Sequence, residues 1–232
     1  MNLNITGTDK LKIFFSYSTT DKKIVGLLKD PLELYGFEVF VAHDDDAIEP
    51  AVEWQYVIID NLKKCDIFIP LITNNFKESN WTDQETGMAK ISGKFIIPLE
   101  VDDHPYGFIG NIQSLKLDRN KLTSKNSIEF ETYVKYDLPI KIFKIIEKVP
   151  IFEKYMVDIF IKELGFIGSF ATANEHVKLI DHFNNFTPEQ INQIYQITYE
   201  NRQIHDANVA QKVLKNFFER IGKYKRISIS CS

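Results

Sequence analysis

Trp81 and Glu85 lie four residues apart in Trp81-Thr82-Asp83-Gln84-Glu85, a segment with helical character. That spacing stacks both side chains on one helix face and sets an aromatic surface beside a carboxylate near a helix N-terminus. The same spacing suits a core tryptophan next to a solvated glutamate, and spacing alone leaves both readings open. Two other polar clusters could work with this pair. Ser16-Tyr17-Ser18-Thr19-Thr20-Asp21 follows the apolar run Ile13-Phe14-Phe15, and the stretch Ala42 to Pro50 holds His43, Asp44, Asp45, Asp46 and Glu49.

These residues can act together only if the fold gathers them. From Leu11 onward, short β-rich runs alternate with helical patterns, the signature of a parallel sheet covered on both faces. Ile13 to Phe15 opens strand A, and helix A follows over about Thr20 to Tyr35, with Pro31 bending it and Gly36 capping its end. Phe37 to Val41 reads as strand B, and Pro50 suits the first turn of helix B, which carries Trp54, Val57, Ile58 and Leu62. Asp66 to Ile72 is strand C, where Pro70 removes one ladder donor and should face a gap or loop. Thr73 to Asn80 reads as a loop, Trp81 to Ile91 as helix C, Phe95 to Leu99 as strand D and Leu115 to Leu117 as a short strand E. Ile128 to Glu147 holds a helix or two, with breaks near Pro139. The expected fold is therefore α/β, a flavodoxin-like five-stranded parallel sheet in the order B-A-C-D-E. Ligands of such sheets bind beyond the carboxyl ends of the strands, where the strand order reverses. Here that point lies between strands A and C, so Ser16 and Glu85 should face each other across a crevice.

Past Pro150 strand signals stop and four amphipathic helical patterns follow, which sets the expected domains at 1–149 and 150–232, the second a small all-α region. Its stripes are Tyr155, Met156, Ile159, Phe160 and Leu164; Val177, Ile180 and Phe183; Ile191, Ile194, Tyr195 and Thr198; and Val209, Val213, Leu214, Phe217 and Ile221. Thr187-Pro188-Glu189-Gln190 supplies an N-cap, a first-turn proline and a capping-box glutamine. The net charge of −4, with basic residues scattered apart from the tail Lys223, Lys225 and Arg226, argues against nucleic acid as a partner. Cys65 and Cys231 imply no disulfide framework, and Cys65 has no adjacent base to make it a nucleophile. With no apolar run long enough to span a bilayer and a polar N-terminus, the expectation is a cytoplasmic chain without membrane contact. His104, His176, His182 and His205 show no metal-ligand spacing, and the Asp44-Asp45-Asp46 run lacks the distal glutamate of a calcium loop, so no metal is expected.

The run Ile13 to Asp21 resembles the first box of Toll/interleukin receptor (TIR) domains: a β run, then Ser, an aromatic, Ser and an Asp three residues later. Ser79-Asn80-Trp81-Thr82-Asp83-Gln84-Glu85 resembles the Ser-x-Trp-x-x-x-Glu segment whose glutamate is catalytic in the NAD-consuming members of that family. The matches fall in the right order and span about residues 10 to 148, and the chain is similar to prokaryotic TIR enzymes of antiviral defence. The resemblance implies that Glu85 cleaves the nicotinamide-ribose bond of NAD+, with Phe15, Ser16, Tyr17, Ser18, His43, Asp46, Trp54 and Trp81 around the substrate. It also implies self-association into a homo-oligomer through the TIR domain. The strand B loop departs from animal adaptors, carrying three aspartates where they place a Pro-Gly or similar turn, and the region after Pro150 matches no TIR feature.

One carboxylate suffices for this chemistry. Nicotinamide is a cationic leaving group that departs neutral, so the general acid of a two-carboxylate glycosidase is unnecessary. Water would give ADP-ribose, while attack by the substrate's own adenine or a ribose hydroxyl would give a cyclic isomer, and the residues do not choose between them. NAD+ would be a substrate and no separate cofactor is expected. The turn Ser16 to Asp21 has no glycine and so lacks the Rossmann approach to a pyrophosphate, which argues against a redox role. Phosphates would fall to Ser16, Ser18 and the start of helix A. Two other functions remain open: a non-enzymatic TIR adaptor, and a nucleoside deoxyribosyltransferase-like enzyme, which shares a flavodoxin-like sheet and a catalytic Glu. As a surface site residue, Glu85 should tolerate replacement by Gln within ~0.5 kcal/mol of stability.

Overall fold

The computed structural model describes residues 10–41 and 54–222. His43, Asp44, Asp45, Asp46, Glu49, Pro50, Cys231 and the basic tail lie outside them. The chain divides into two compact units, Met1–Ile145 and Ile146–Ser232.

In the first unit β1 (Lys12–Ser16) runs parallel to β2 (Glu38–Val41) on one side and to β3 (Ile67–Ile72) on the other. The sheet order is β2-β1-β3-β5-β6, all parallel, with β4 (Phe95–Ile96) pairing β3 off that path; β5 is Leu99–Glu100 and β6 Leu115–Lys116. This is the B-A-C-D-E order expected, with strand D in two pieces. The break has a local cause. Pro98 and Pro70 lack backbone N–H groups. Pairing of β3 with β4 ends at Phe68–Ile96, and pairing with β5 resumes at Leu71–Leu99, so Pro70 falls opposite the interruption. All six residues of β3 are buried, as the continuous apolar run of a central parallel strand requires.

Phe14 stacks between Phe40 of β2 and Phe68 of β3, with ring centroids 5.2 Å and 5.8 Å away. Ile58 and Leu62 of α2 (Trp54–Lys64) and Ala89 of α4 (Thr82–Ile91) pack onto this aromatic ladder with Ile96 and Ile109. Two more helices flank the sheet: α1 (Lys22–Leu34), which packs on β2, and α3 (Asn74–Glu78). Gly36, at φ 89°, ends the turn after α1 in the left-handed region. Pro31 lies inside α1 near its end. After α5 (Arg119–Leu122) and α6 (Ser127–Thr132) the helix widens into a π turn at Tyr133–Asp137, then continues as α7 (Leu138–Ile146). Pro139 in the first turn of α7 has no N–H to give the preceding turn, so the expected break is a widened turn and not a gap. Phe143 of α7 meets the Tyr35 ring at 4.8 Å and the Phe37 ring at 6.4 Å.

Helices α8 (Pro150–Leu164), α9 (Phe170–His176), α10 (Pro188–Glu200), α11 (Arg202–His205) and α12 (Asn208–Arg220) form the second unit. The stripe around Val177 and Ile180 is a 3₁₀ turn, not a full α-helix. The Thr187–Gln190 capping box is present, and Gln190 also donates to Asp158 at 2.7 Å. Among the described residues no helix is long and apolar enough to cross a membrane. Glu153 of α8 is buried and accepts from the backbone N–H groups of Asn184 and Asn185 at 3.0 and 3.1 Å and from Asn185 Nδ2 at 2.8 Å. It thereby pins the segment leading into α10. Glu153→Ala leaves these donors unpaired, so denaturant unfolding should show a loss on the order of 2–4 kcal/mol. A change below about 0.5 kcal/mol would remove this role.

Candidate functional site

Strand β1 delivers Ser16 at its carboxyl end, where the side chain is 1% exposed. The backbone then makes a 3₁₀ turn, Thr19–Asp21, and enters α1. Asp21 reaches across the end of the sheet and accepts from Thr73 Oγ1 at 2.7 Å and Asn75 Nδ2 at 3.3 Å. The turn after β1 is thus tied to the segment after β3. Thr73 also caps α3 by accepting from Phe76 N at 3.1 Å. This short helix replaces the loop expected over Thr73 to Asn80. An elbow then joins α3 to α4, held by Thr82 Oγ1, which donates to Phe76 O at 2.6 Å and to Ser79 O at 3.1 Å. Trp81 caps α4, and the Glu85 amide donates to Trp81 O at 2.9 Å, one helical turn on.

Across the crevice between β1 and α4, the Ser16 hydroxyl donates to Glu85 Oε2 at 2.5 Å. Among the described residues this is the one hydrogen bond the Glu85 carboxyl receives. Burial pushes its carboxyl up to about 7, and the Ser16 hydrogen bond offsets part of that rise. A carboxylate poised near neutrality is a common property of functional sites.

The cavity beside it holds about 490 Å3 and is lined by Tyr17, Ser18, Thr19, Thr20, Asn75, Glu78, Ser79 and Trp81, besides Phe15, Ile58 and Glu85. Of the residues singled out from sequence, Phe15, Tyr17, Ser18, Trp81 and Glu85 line it, and Ser16 joins them through its hydrogen bond. Trp54 begins α2; His43 and Asp46 lie outside the described residues. Thr19, Thr20, Asn75, Glu78 and Ser79 were not singled out as site residues. Thr19 and Thr20 sit inside the quoted first box, and Ser79 inside the tryptophan segment, so their positions were readable. Asn75 and Glu78 lie in the stretch read as a loop and carried no signal of their own. Cys65 is buried, its thiol donates to Leu62 O at 3.1 Å, and burial pushes it up to about 12, which leaves it protonated and inert.

The model of one protein family, described as the TIR domain, matches residues 13–132. The chain belongs to the TIR domain family. Every described residue lining the cavity falls inside that TIR span. A crystal structure of the TIR domain of the Toll-related receptor TRR-2 from Hydra magnipapillata is also similar, at 17% identity and a TM-score of 0.40, covering 56% of this chain and 96% of that one. No curated protein sequence matches the chain.

Glu85 is 6% exposed, which corrects the expectation of a surface residue. Its proton is held more tightly in the folded chain, at about 7, than at the ordinary value of 4.5. Between those values the folded chain binds more protons, so this contribution to stability is full below the ordinary value and is lost as pH rises through about 7. Glu85→Gln removes the penalty of a buried charge. Its unfolding free energy should match the parent at about pH 4.5 and exceed it at about pH 8, by on the order of 1–3 kcal/mol in denaturant titration. A variant less stable than the parent at the higher pH would make the carboxylate a structural group.

Proposed function

We propose that this TIR chain is an NAD+ glycohydrolase, with ADP-ribosyl cyclisation as a second outcome of the same bond cleavage, acting in antiviral defence as a homo-oligomer. The observation that carries this reading is the Glu85 carboxylate at the crevice, hydrogen-bonded to Ser16 and flanked by Trp81 and Tyr17. In the reaction the bond between the ribose C1′ and the pyridinium nitrogen breaks. Its electron pair leaves with nicotinamide, which becomes neutral, and the ribose acquires oxocarbenium character. Ionised Glu85 stabilises that charge in a poorly solvated setting, where a fixed negative group is worth most. Water then attacks C1′ and loses a proton, giving ADP-ribose; an adenine nitrogen or a ribose hydroxyl of the same molecule gives a cyclic product instead. Trp81, half-buried in the cavity wall, offers a surface for the nicotinamide or adenine ring, and Ser18, Thr19, Thr20, Asn75 and Ser79 offer hydrogen bonds to ribose and phosphate oxygens.

Purified protein incubated with NAD+ across a range of protein concentrations should release nicotinamide, resolved by chromatography. Glu85→Gln should lower the rate by ~10²-fold or more while remaining folded. Absence of release at every protein concentration would leave the chain a binding module. Because the ionised form acts, kcat/KM should rise with pH through a midpoint near 7. Ser16→Ala removes the hydrogen bond that favours ionisation and should move that midpoint to higher pH. A midpoint that stays put or falls would separate Ser16 from the titration of Glu85.

A further inference from the structure

The walls of the crevice carry an uneven set of charges. Glu78 and Glu85 are among the described residues that line it, and no lysine, arginine or histidine is. Two basic side chains on neighbouring elements are directed elsewhere. Lys23 lies over the Phe130 ring at 4.7 Å, and Lys77 pairs with Asp103 and lies over the Tyr106 ring at 4.9 Å. What the walls offer a ligand is neutral: the hydroxyls of Ser18, Thr19, Thr20 and Ser79, and Asn75, whose amide nitrogen is committed to Asp21. With one N–H engaged in that way, the second N–H and the carbonyl of Asn75 are left for a ligand, and neither carries a formal charge.

Phosphate groups are ordinarily met by guanidinium or ammonium groups, and in a cleft walled by one sign of charge the field focuses on the ligand. Each added phosphate on a substrate is therefore opposed here. Pyridinium nucleosides differ in this respect while sharing the scissile bond: nicotinamide riboside is a cation, NAD+ carries a small net negative charge, and a 2′-phosphate adds about −1.5 to −2 more. We infer that, on the reading of the site given above, the crevice sorts these substrates by charge, taking NAD+ in preference to NADP+ and cleaving nicotinamide riboside as well. The bond change is the same in all three. The C1′–nitrogen bond breaks, neutral nicotinamide leaves with the electron pair, and water adds to C1′ with release of a proton. From the riboside the products are ribose and nicotinamide.

The test compares nicotinamide release from NAD+, NADP+ and nicotinamide riboside by the full chain. At low salt, kcat/KM for NAD+ should exceed that for NADP+ by roughly tenfold or more, and the ratio should shrink as ionic strength rises. Nicotinamide riboside should be turned over within about tenfold of NAD+. Glu78→Lys reverses one wall charge on an exposed residue and should raise NADP+ relative to NAD+ several-fold; Glu78→Gln should do so less. Equal use of NAD+ and NADP+, a preference for NADP+, a ratio indifferent to salt, or turnover of NAD+ with none of the riboside would overturn the inference. If none of the three is cleaved, the hydrolase reading fails. Saturation-transfer NMR with NAD+ and NADP+ still decides the charge question: weaker binding of NADP+ at low salt upholds it, and equal or stronger binding overturns it.

Discussion

The hydrogen bond from Ser16 to Glu85 joins two points 69 residues apart in sequence, and the arrangement of the sheet is what makes it possible. Ser16 ends β1, which lies between β2 and β3, and it stands in register with Pro70 of β3. The chain leaves β1 for β2 on one side, then returns across to β3 on the other. At that reversal the connections at the carboxyl ends diverge, opening a crevice that a strictly sequential strand order would close. Helix α4 follows β3 and turns back along the sheet, so the residue one turn into α4 comes over the end of β1. A glutamate there is both close to Ser16 and shielded from water.

Shielding alone would not hold the carboxylate in one place. The opposite wall is built as a braced corner: Asp21 fastens the turn after β1 to Thr73 and Asn75, Thr73 caps α3, and Thr82 joins α3 to α4. These bonds use side chains as both donor and acceptor across four short elements. None of those elements would hold its geometry alone, since helices shorter than about 12 residues are marginal in isolation. The loops of the site are thus cross-braced at the mouth of a sheet whose central strand β3 is fully buried.

Much of this was legible in sequence, and the parts that were not share a cause. Strands β1 and β3 announce themselves as apolar runs, and the reversal between them follows from reading a parallel sheet. The TIR-like boxes around Ser16 and Glu85 marked the two residues that meet. Hidden were features set by tertiary contact or by very short elements. Helix α3, five residues long, has no room for a periodic apolar stripe. The division of strand D depends on Pro98 lying beside Pro70 in three dimensions, although each proline alone was visible. Glu78 and Asn75 enter the wall only because α3 exists. The burial of Glu85 depends on β1 and α4 closing over it, and no local pattern distinguishes that from a solvated glutamate on a helix.

The two units each bury a glutamate, and the contrast between them bears on what Glu85 is for. Glu153 receives three donors, two of them backbone amides, and both of its oxygens are engaged. A carboxylate satisfied in that way is a fastening: its energy is spent on the segment it holds, and it has little left to offer a ligand. Among the described residues the Glu85 carboxyl receives the Ser16 hydroxyl on one oxygen, and it is pushed up to about 7 by burial that this bond offsets only in part. A buried acid beside an open cavity is stabilised by a ligand that brings positive charge to it, which is what the proposed reaction asks of the group facing the ribose as neutral nicotinamide departs.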